Sequence, residues 1–197
     1  KNYIDSTWKN AQKLSQGLPK NIIGGYGTID GWMLVPSGIP QMEMKEQRLS
    51  RVRKAEGISI PAGFPAKKAS VYITPHTSIT ILMDQSSLTN AYPTLIFSGG
   101  KNAEISLSYA EALFAEPPSK GNRNEVDGKT FMGRTDNIIS DGTRDQVFTS
   151  LSWRTYRYIE LKVTTKYEPL TIDDIYGTFT GYPFEYKAKL ESENPEL

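Results

Sequence analysis

Residues 153–163 read Trp-Arg-Thr-Tyr-Arg-Tyr-Ile-Glu-Leu-Lys-Val. From Tyr156 onward, bulky Tyr156, Tyr158, Leu161 and Val163 are interleaved with polar Arg157, Glu160 and Lys162. That is the pattern of a strand with one face on a core and the other in water. The aromatic and β-branched content suits a pleated, half-buried surface. Trp153, Arg154 and Arg157 make the beginning of the stretch a candidate recognition edge as well.

Working outward, the same short-strand pattern recurs. Strands are expected over residues 69–74, 77–84, 92–98, 103–110, 146–153, 155–165 and 170–180. Pro75-His76 and Gly99-Gly100 punctuate them. In the 103–110 segment Ile105, Leu107 and Tyr109 share one face. Residues 116–145 read as a long polar excursion. With strands every 10–15 residues or so and few helical stripes, the chain is expected to be all-β, an antiparallel β-sandwich or jelly roll. Residues 1–68 read as an irregular segment packed on a sandwich of residues 69–190. Within it, residues 3–18 fit either a short helix or a strand and polar loop. Residues 22–40 are rich in glycine and proline, with a strand expected at 32–35. Residues 41–54 are charged and expected to be exposed.

Bulk composition removes several function classes. The 197 residues are 38% hydrophobic and 11% aromatic, enough for a core in which tyrosine shares the packing. The net charge of +1, from 23 basic and 22 acidic residues, gives no electrostatic footprint for nucleic acid. No apolar run approaches the ~20 residues needed to span a bilayer, so no membrane partner is expected. With no cysteine there is no disulfide, thiolate nucleophile or cysteine-bound zinc. His76 is the one histidine, which leaves zinc and Ser-His-Asp catalysis without material. Beside Pro75 at a turn, it reads as a surface residue.

Three sets of segments resemble bacterial α-L-rhamnosidases of glycoside hydrolase family 78. They are residues 105–113 (ISLSYAEAL) with 120–129 (KGNRNEVDGK), residues 148–163 (FTSLSWRTYRYIELKV) with 168–172 (EPLTI), and residues 180–184 (TGYPF) with 192–197 (SENPEL). Residues 32–40 and 82–89 also look similar. The resemblance implies the concanavalin-like β-sandwich that precedes an (α/α)6 catalytic barrel in that family. The barrel supplies the acid and base of an inverting mechanism. On this reading the chain is a non-catalytic accessory domain, its partner is its own catalytic domain, and residues 191–197 are a linker toward it. An independent module for rhamnose-containing glycans is the alternative, and a stand-alone hydrolase the third class. A periplasmic or secreted bacterial location is the favoured expectation.

Each candidate constellation has a plain reading beside it. The carboxylate pairs are Glu125 with Asp127, Asp136 with Asp141, and Asp173 with Asp174. A glycosidase needs its pair across a substrate, at about 5 Å or about 6.5–9.5 Å. Glu125 and Asp127 sit in an Asn/Gly loop, where such residues make turns. Adjacent Asp173 and Asp174 face opposite sides of a strand or cap a turn. The Asn122-Arg123-Asn124-Glu125 cluster reads as a sugar contact, as a contact with the barrel, or as a loop tied by its own side chains. In the last case Arg123 pairs with Glu125 or Asp127. No cofactor is required. Asp136, Asn137, Asp141, Asp145 and Glu125 are hard oxygen ligands of the kind calcium takes, but they lack EF-hand spacing, and calcium is not the preferred reading. Trp8, Trp32 and Trp153 are candidate sugar platforms, with burial in a core or interface the preferred reading. Arg154 and Arg157, three apart, are expected on opposite strand faces and on different partners.

Overall fold

The computed structural model describes residues 6–14, 36–185, 187–189 and 191–194. The chain divides into two compact units, Lys1–Pro40 and Gln41–Leu197. In the first, the described residues carry only turns and bends, and Trp8, Leu14 and Ile39 are exposed. The strand expected at 32–35, both ends of the 3–18 segment and the last three residues lie outside the described residues.

The second unit is all-β and antiparallel, with no α-helix among the described residues. Nine strands run in order: β1 (Glu43–Gln47), β2 (Arg51–Glu56), β3 (Val71–Ile73), β4 (Ser78–Gly99), β5 (Glu104–Ala110), β6 (Arg134–Ile139), β7 (Gln146–Thr149), β8 (Arg154–Thr164) and β9 (Leu170–Gly181). Hydrogen bonding links them as β1-β9-β4-β8-β5-β6, with β2 and β7 also on β4 and β3 also on β9.

β4 organises this sheet. Residues expected as two strands, 77–84 and 92–98, are halves of one 22-residue strand. Its first half lies between β2 and β8. Its second half has β9 on one edge and β7 with the start of β8 on the other. The register shifts between Asp84 and Thr89, and Ser86 adopts φ +72°. Such a bulge bends a strand and increases its twist. Ile79, Ile81 and Met83 before the bend, and Ala91, Leu95 and Phe97 after it, enter one core with β5, β8 and β9. The sheet therefore closes on a single apolar interior, as in a β-sandwich. Each fully buried Leu, Ile or Phe there contributes roughly 1.5–3 kcal/mol of transfer free energy.

The deciding stretch departs from simple alternation at this bend. Tyr156, Ile159, Leu161 and Val163 face the main core, as do Ile105, Leu107 and Tyr109. Tyr158, expected beside Tyr156, faces the other way. It joins Leu82, Leu113 and Val126, with Phe131 against them, in a small second cluster on the outer face. The segment after β5 folds over this face and makes it a buried surface.

Two segments expected to lack regular structure form strands. Residues 43–56, placed within the irregular 1–68 segment, become β1 and β2, and residues 134–139, placed within the polar excursion, become β6. All three are edge strands, hydrogen-bonded on one side. Most of their charged and polar side chains face water, which blunts pairing with other chains. It also erases the apolar alternation that would have revealed them.

Gly133 precedes β6, where the chain passes against β5. A Cβ at Gly133 would lie 1.9 Å from the Tyr109 carbonyl oxygen. Gly133→Ala should therefore force β6 off β5 and cost ~1–3 kcal/mol. Urea titration should show a lower midpoint at an unchanged slope.

Candidate functional site

Asp84 ends the first half of β4 with its side chain wholly buried. Four donors hold it. Arg157 Nε (3.1 Å) and the Ser86 N–H (2.8 Å) donate to Oδ1. Arg53 Nη1 (3.0 Å) and Arg51 Nη2 (3.2 Å) donate to Oδ2. The ladders explain the convergence. Arg51 and Tyr158 are the cross-strand neighbours of Asp84 on β2 and β8. Arg53 is the extra residue of a bulge between Val52 and Lys54, which re-aims it at the carboxylate. Burial pushes the Asp84 carboxyl up. The hydrogen bonds from Arg157, Ser86 and Arg53 and the charge of Arg157 outweigh it, holding the group below its ordinary 3.8.

The same arginines fasten the 120–129 loop to the outer face. Arg157 Nη1 donates to Asn124 Oδ1 at 2.7 Å, and Arg53 Nη2 to the Asn124 carbonyl at 3.0 Å. Tyr158 Oη donates to the Arg123 carbonyl at 2.7 Å. Lys54 Nζ reaches the Val126 carbonyl at 3.2 Å and Asp127 at 3.0 Å. Lys129, itself nearly buried, donates to the Asn122 and Lys120 carbonyls. Within the loop, Asn122 bonds Glu125 Oε1 and its Oδ1 accepts the Asn124 N–H. The Asn122–Glu125 cluster is thus tied by its own side chains and by the sheet below. One expectation fails: Arg123 pairs with neither Glu125 nor Asp127. Glu125 lies by Lys129 and Asp127 takes Lys54, while the exposed Arg123 side chain has no ion-pair partner among the described residues.

The remaining candidates are dispersed. Arg154 holds Asp136 through Nη2 (2.7 and 2.9 Å) and Nε (3.2 Å), and lies over the Tyr109 ring. Hydrogen bonding to Asp136 raises the guanidinium pKa. Burial, then the Asp136 charge, push the Tyr109 phenol well above its ordinary 10.0. Arg154 and Arg157 therefore serve different carboxylates, as their spacing implies. Trp153 is about half exposed, so it is not part of this chain's core. Asp141 caps a turn by accepting from the Thr143 N–H and hydroxyl. No cluster of three metal-ligating side chains occurs among the described residues. Asp174 is buried on Arg48 (2.7 and 2.9 Å), whereas Asp173 accepts from Ser98 Oγ at 2.6 Å. His76 is exposed at its turn, edge-on to Tyr167.

Two hollows flank these groups. One, of about 160 Å³, lies beneath the 120–131 segment and is lined by Lys54, Glu56, Thr80, Leu82, Leu113, Val126, Lys129, Phe131 and Glu160. The other is an open cleft of about 490 Å³ at one end of the sheet, with Ser98, Arg144, Asp145, Thr171 and Asp173 among its walls. Sequence reasoning passed over Asp84, Arg53, Lys54 and Phe131. The available signal was Asp84 itself, a carboxylate closing the apolar run Ile81-Leu82-Met83 opposite a strand carrying Arg157.

No family model matches the chain, and no curated protein matches it. Solved structures with similar regions include a GH78 family rhamnosidase of Bacillus sp. GL1, at 15% identity and TM-score 0.47, over 60% of this chain and 11% of that one. A rhamnosidase from Klebsiella oxytoca with rhamnose bound aligns at 13% identity and TM-score 0.49, over 72% and 30%. The CBM32 of AlyQ in complex with 4,5-unsaturated mannuronic acid aligns at 12% identity and TM-score 0.42, over 67% and 96%. The chain thus spans about a tenth and under a third of the two rhamnosidases.

Asp84→Asn should leave the arginines around a buried site uncompensated, costing about 3–5 kcal/mol, nearer the lower figure because Arg51 reaches solvent. The native carboxyl has a lowered folded pKa. Its contribution is complete above about pH 4 and is lost as the pH falls through that lowered value. Denaturant titrations from pH 7 to pH 2 should therefore show native stability falling in acid more steeply than that of Asp84→Asn.

Proposed function

We propose that the chain is a non-catalytic β-sandwich domain of a glycoside hydrolase, of the concanavalin-like or jelly-roll kind that accompanies the (α/α)6 barrel in family 78 α-L-rhamnosidases. The parent enzyme would act on rhamnose-containing glycans by inversion. The domain supports the barrel and presents the 122–125 loop to it, beside the substrate pocket.

The observation that carries this reading is the fixation of that loop. A segment with two asparagines, an arginine and a glutamate is held by Arg53, Arg157, Lys54, Lys129 and Tyr158 from the sheet below. A surface loop pinned from beneath loses little entropy on docking, the condition that favours a permanent contact. The exposed Arg123 and Glu125 side chains offer charge to such a partner. The carboxylates Asp84, Asp136 and Asp174 are each committed to arginine, which suits support more than acid–base chemistry. The residues carrying the rhamnosidase resemblance include this loop and the β7–β8 edge.

An independent carbohydrate-binding module is the second reading, favoured by the hollow beneath the 120–131 segment. Deleting residues 121–128 in the enzyme that carries this domain separates the two. The supporting role predicts a lower thermal midpoint and reduced kcat/KM. Unchanged stability and kinetics would overturn it, as would rhamnosidase activity in the isolated chain.

A further inference from the structure

The edges of the sheet are not equally protected. Natural sheets defend an edge with brevity, bulges or charge. β3 has three residues and β7 four, and β2 carries the bulge at Arg53. β6 commits Asp136 to Arg154. β1 relies on charge alone. Its five residues pair with β9 without a register shift, and its other side meets no strand among the described residues. Glu43, Met44, Lys45 and Glu46 are all exposed. Met44 is 60% exposed, and Met42, just before the strand, 49%. Glu43 and Lys45 have no ion-pair partner among the described residues.

We infer that β1 pairs with β1 of a second copy of this chain, antiparallel, about a two-fold axis through Met44. Side chains alternate along a strand, and directly opposite residues of an antiparallel pair share a face. A two-fold axis normal to the sheet must therefore pass through a residue that meets its own copy. Centred on Glu43, Lys45 or Glu46, it sets like charges opposite each other, which destabilises the pair. Centred on Gln47, it needs Leu49 opposite Lys45, and Leu49 is wholly buried. Met44 is the centre in β1 that remains. There Glu43 meets the second copy's Lys45, and Lys45 its Glu43. Met44 meets Met44, so two exposed apolar side chains leave water together. Outside them, Met42 lies opposite Glu46 and Gln41 opposite Gln47. The charges that blunt pairing at this edge thus admit one register. On the Lys45 face, the second copy's Lys45 arrives beside a hollow of about 330 Å³ lined by Glu43, Lys45 and Phe179, where its aliphatic stem adds contact. The contact is isologous, so it closes at two copies. Residues 41–47 of two copies bury less than the ~1,200 Å² of a standard interface, which makes the dimer weak, with Kd on the order of 100 µM. It makes no use of the 122–125 loop.

The test is sedimentation equilibrium of the 197-residue chain from about 10 µM to about 1 mM, a range that spans this constant. The mass should rise from 22.0 kDa toward twice that value. Glu43→Lys and Lys45→Glu are exposed substitutions that leave the core intact. Each should weaken the dimer about tenfold or more, because each sets like charges opposite at two places. Mixed in equal amounts, the two variants should pair with each other, since one then carries lysine and the other glutamate at both positions. Met44→Cys supplies the sole thiol of a chain without cysteine. It should cross-link on mild oxidation, because directly opposite Cα atoms lie about 4.5–5.5 Å apart, within disulfide reach. Glu46→Cys, opposite Met42, should not. A chain that stays monomeric throughout would overturn the inference, and this is the result expected if another protein or domain covers β1. So would a dimer that both reversals leave intact, or reversed variants that fail to pair with each other.

Discussion

A buried carboxylate surrounded by arginines is expensive unless every partner is in place. Asp84 meets that condition by drawing on three separate parts of the chain: Arg51 and Arg53 from β2, Arg157 from β8, and the Ser86 N–H at the bend of β4. It therefore fixes how β2 and β8 sit on β4 at the point where β4 turns. Two of its arginines continue to Asn124, so the position of the 120–129 loop follows from the same contact. Strand register, bend and loop are coupled through one group whose charge is retained because several donors outweigh its desolvation.

The apolar interior supplies the larger share of the stabilisation, but it is less selective. Ile79, Ile81, Met83, Leu95 and Phe97 of β4 enter it with Leu107, Leu161 and Ile175, and hydrophobic burial has no direction. What commits these residues to one arrangement is the change of face at the bend. Residues 156 and 159 of β8 both reach the main core, while Tyr158 between them reaches the outer cluster. That switch makes a second buried surface on a face that a regular strand would leave in water. The outer cluster is small, and its roof is held by polar ties.

Arginine–carboxylate pairing recurs in this fold. Asp84, Asp136 and Asp174 each take an arginine distant in sequence, and Asp174 and Asp136 do so bidentately. The planar guanidinium matches two carboxylate oxygens at once and gives geometric specificity along with energy. In a chain without disulfides, these pairs are the cross-links between edge and centre. Two of these carboxylates, Asp136 and Asp174, were among the candidates for metal or catalytic roles when read singly.

The sequence by itself determined the all-β class, the central strands and the main core face, because period-two alternation is a local property that neighbours in the chain express directly. It also determined that Arg154 and Arg157 serve different partners, from strand parity alone. Three edge strands, β1, β2 and β6, were illegible, since they carry charge in place of an apolar stripe. Only the tertiary structure decided that 77–84 and 92–98 are one bent strand, that Tyr158 turns outward, and that Asp84 gathers three arginines. Those outcomes depend on cross-strand register, where one extra residue in a ladder re-aims a side chain. The loop at Asn122–Glu125 shows the division. Its residue types left a sugar contact, a barrel contact and a self-tied loop open, while the groups that hold it, Arg53 and Arg157, lie about 70 and 33 residues away and come to it through pairing that no local pattern encodes.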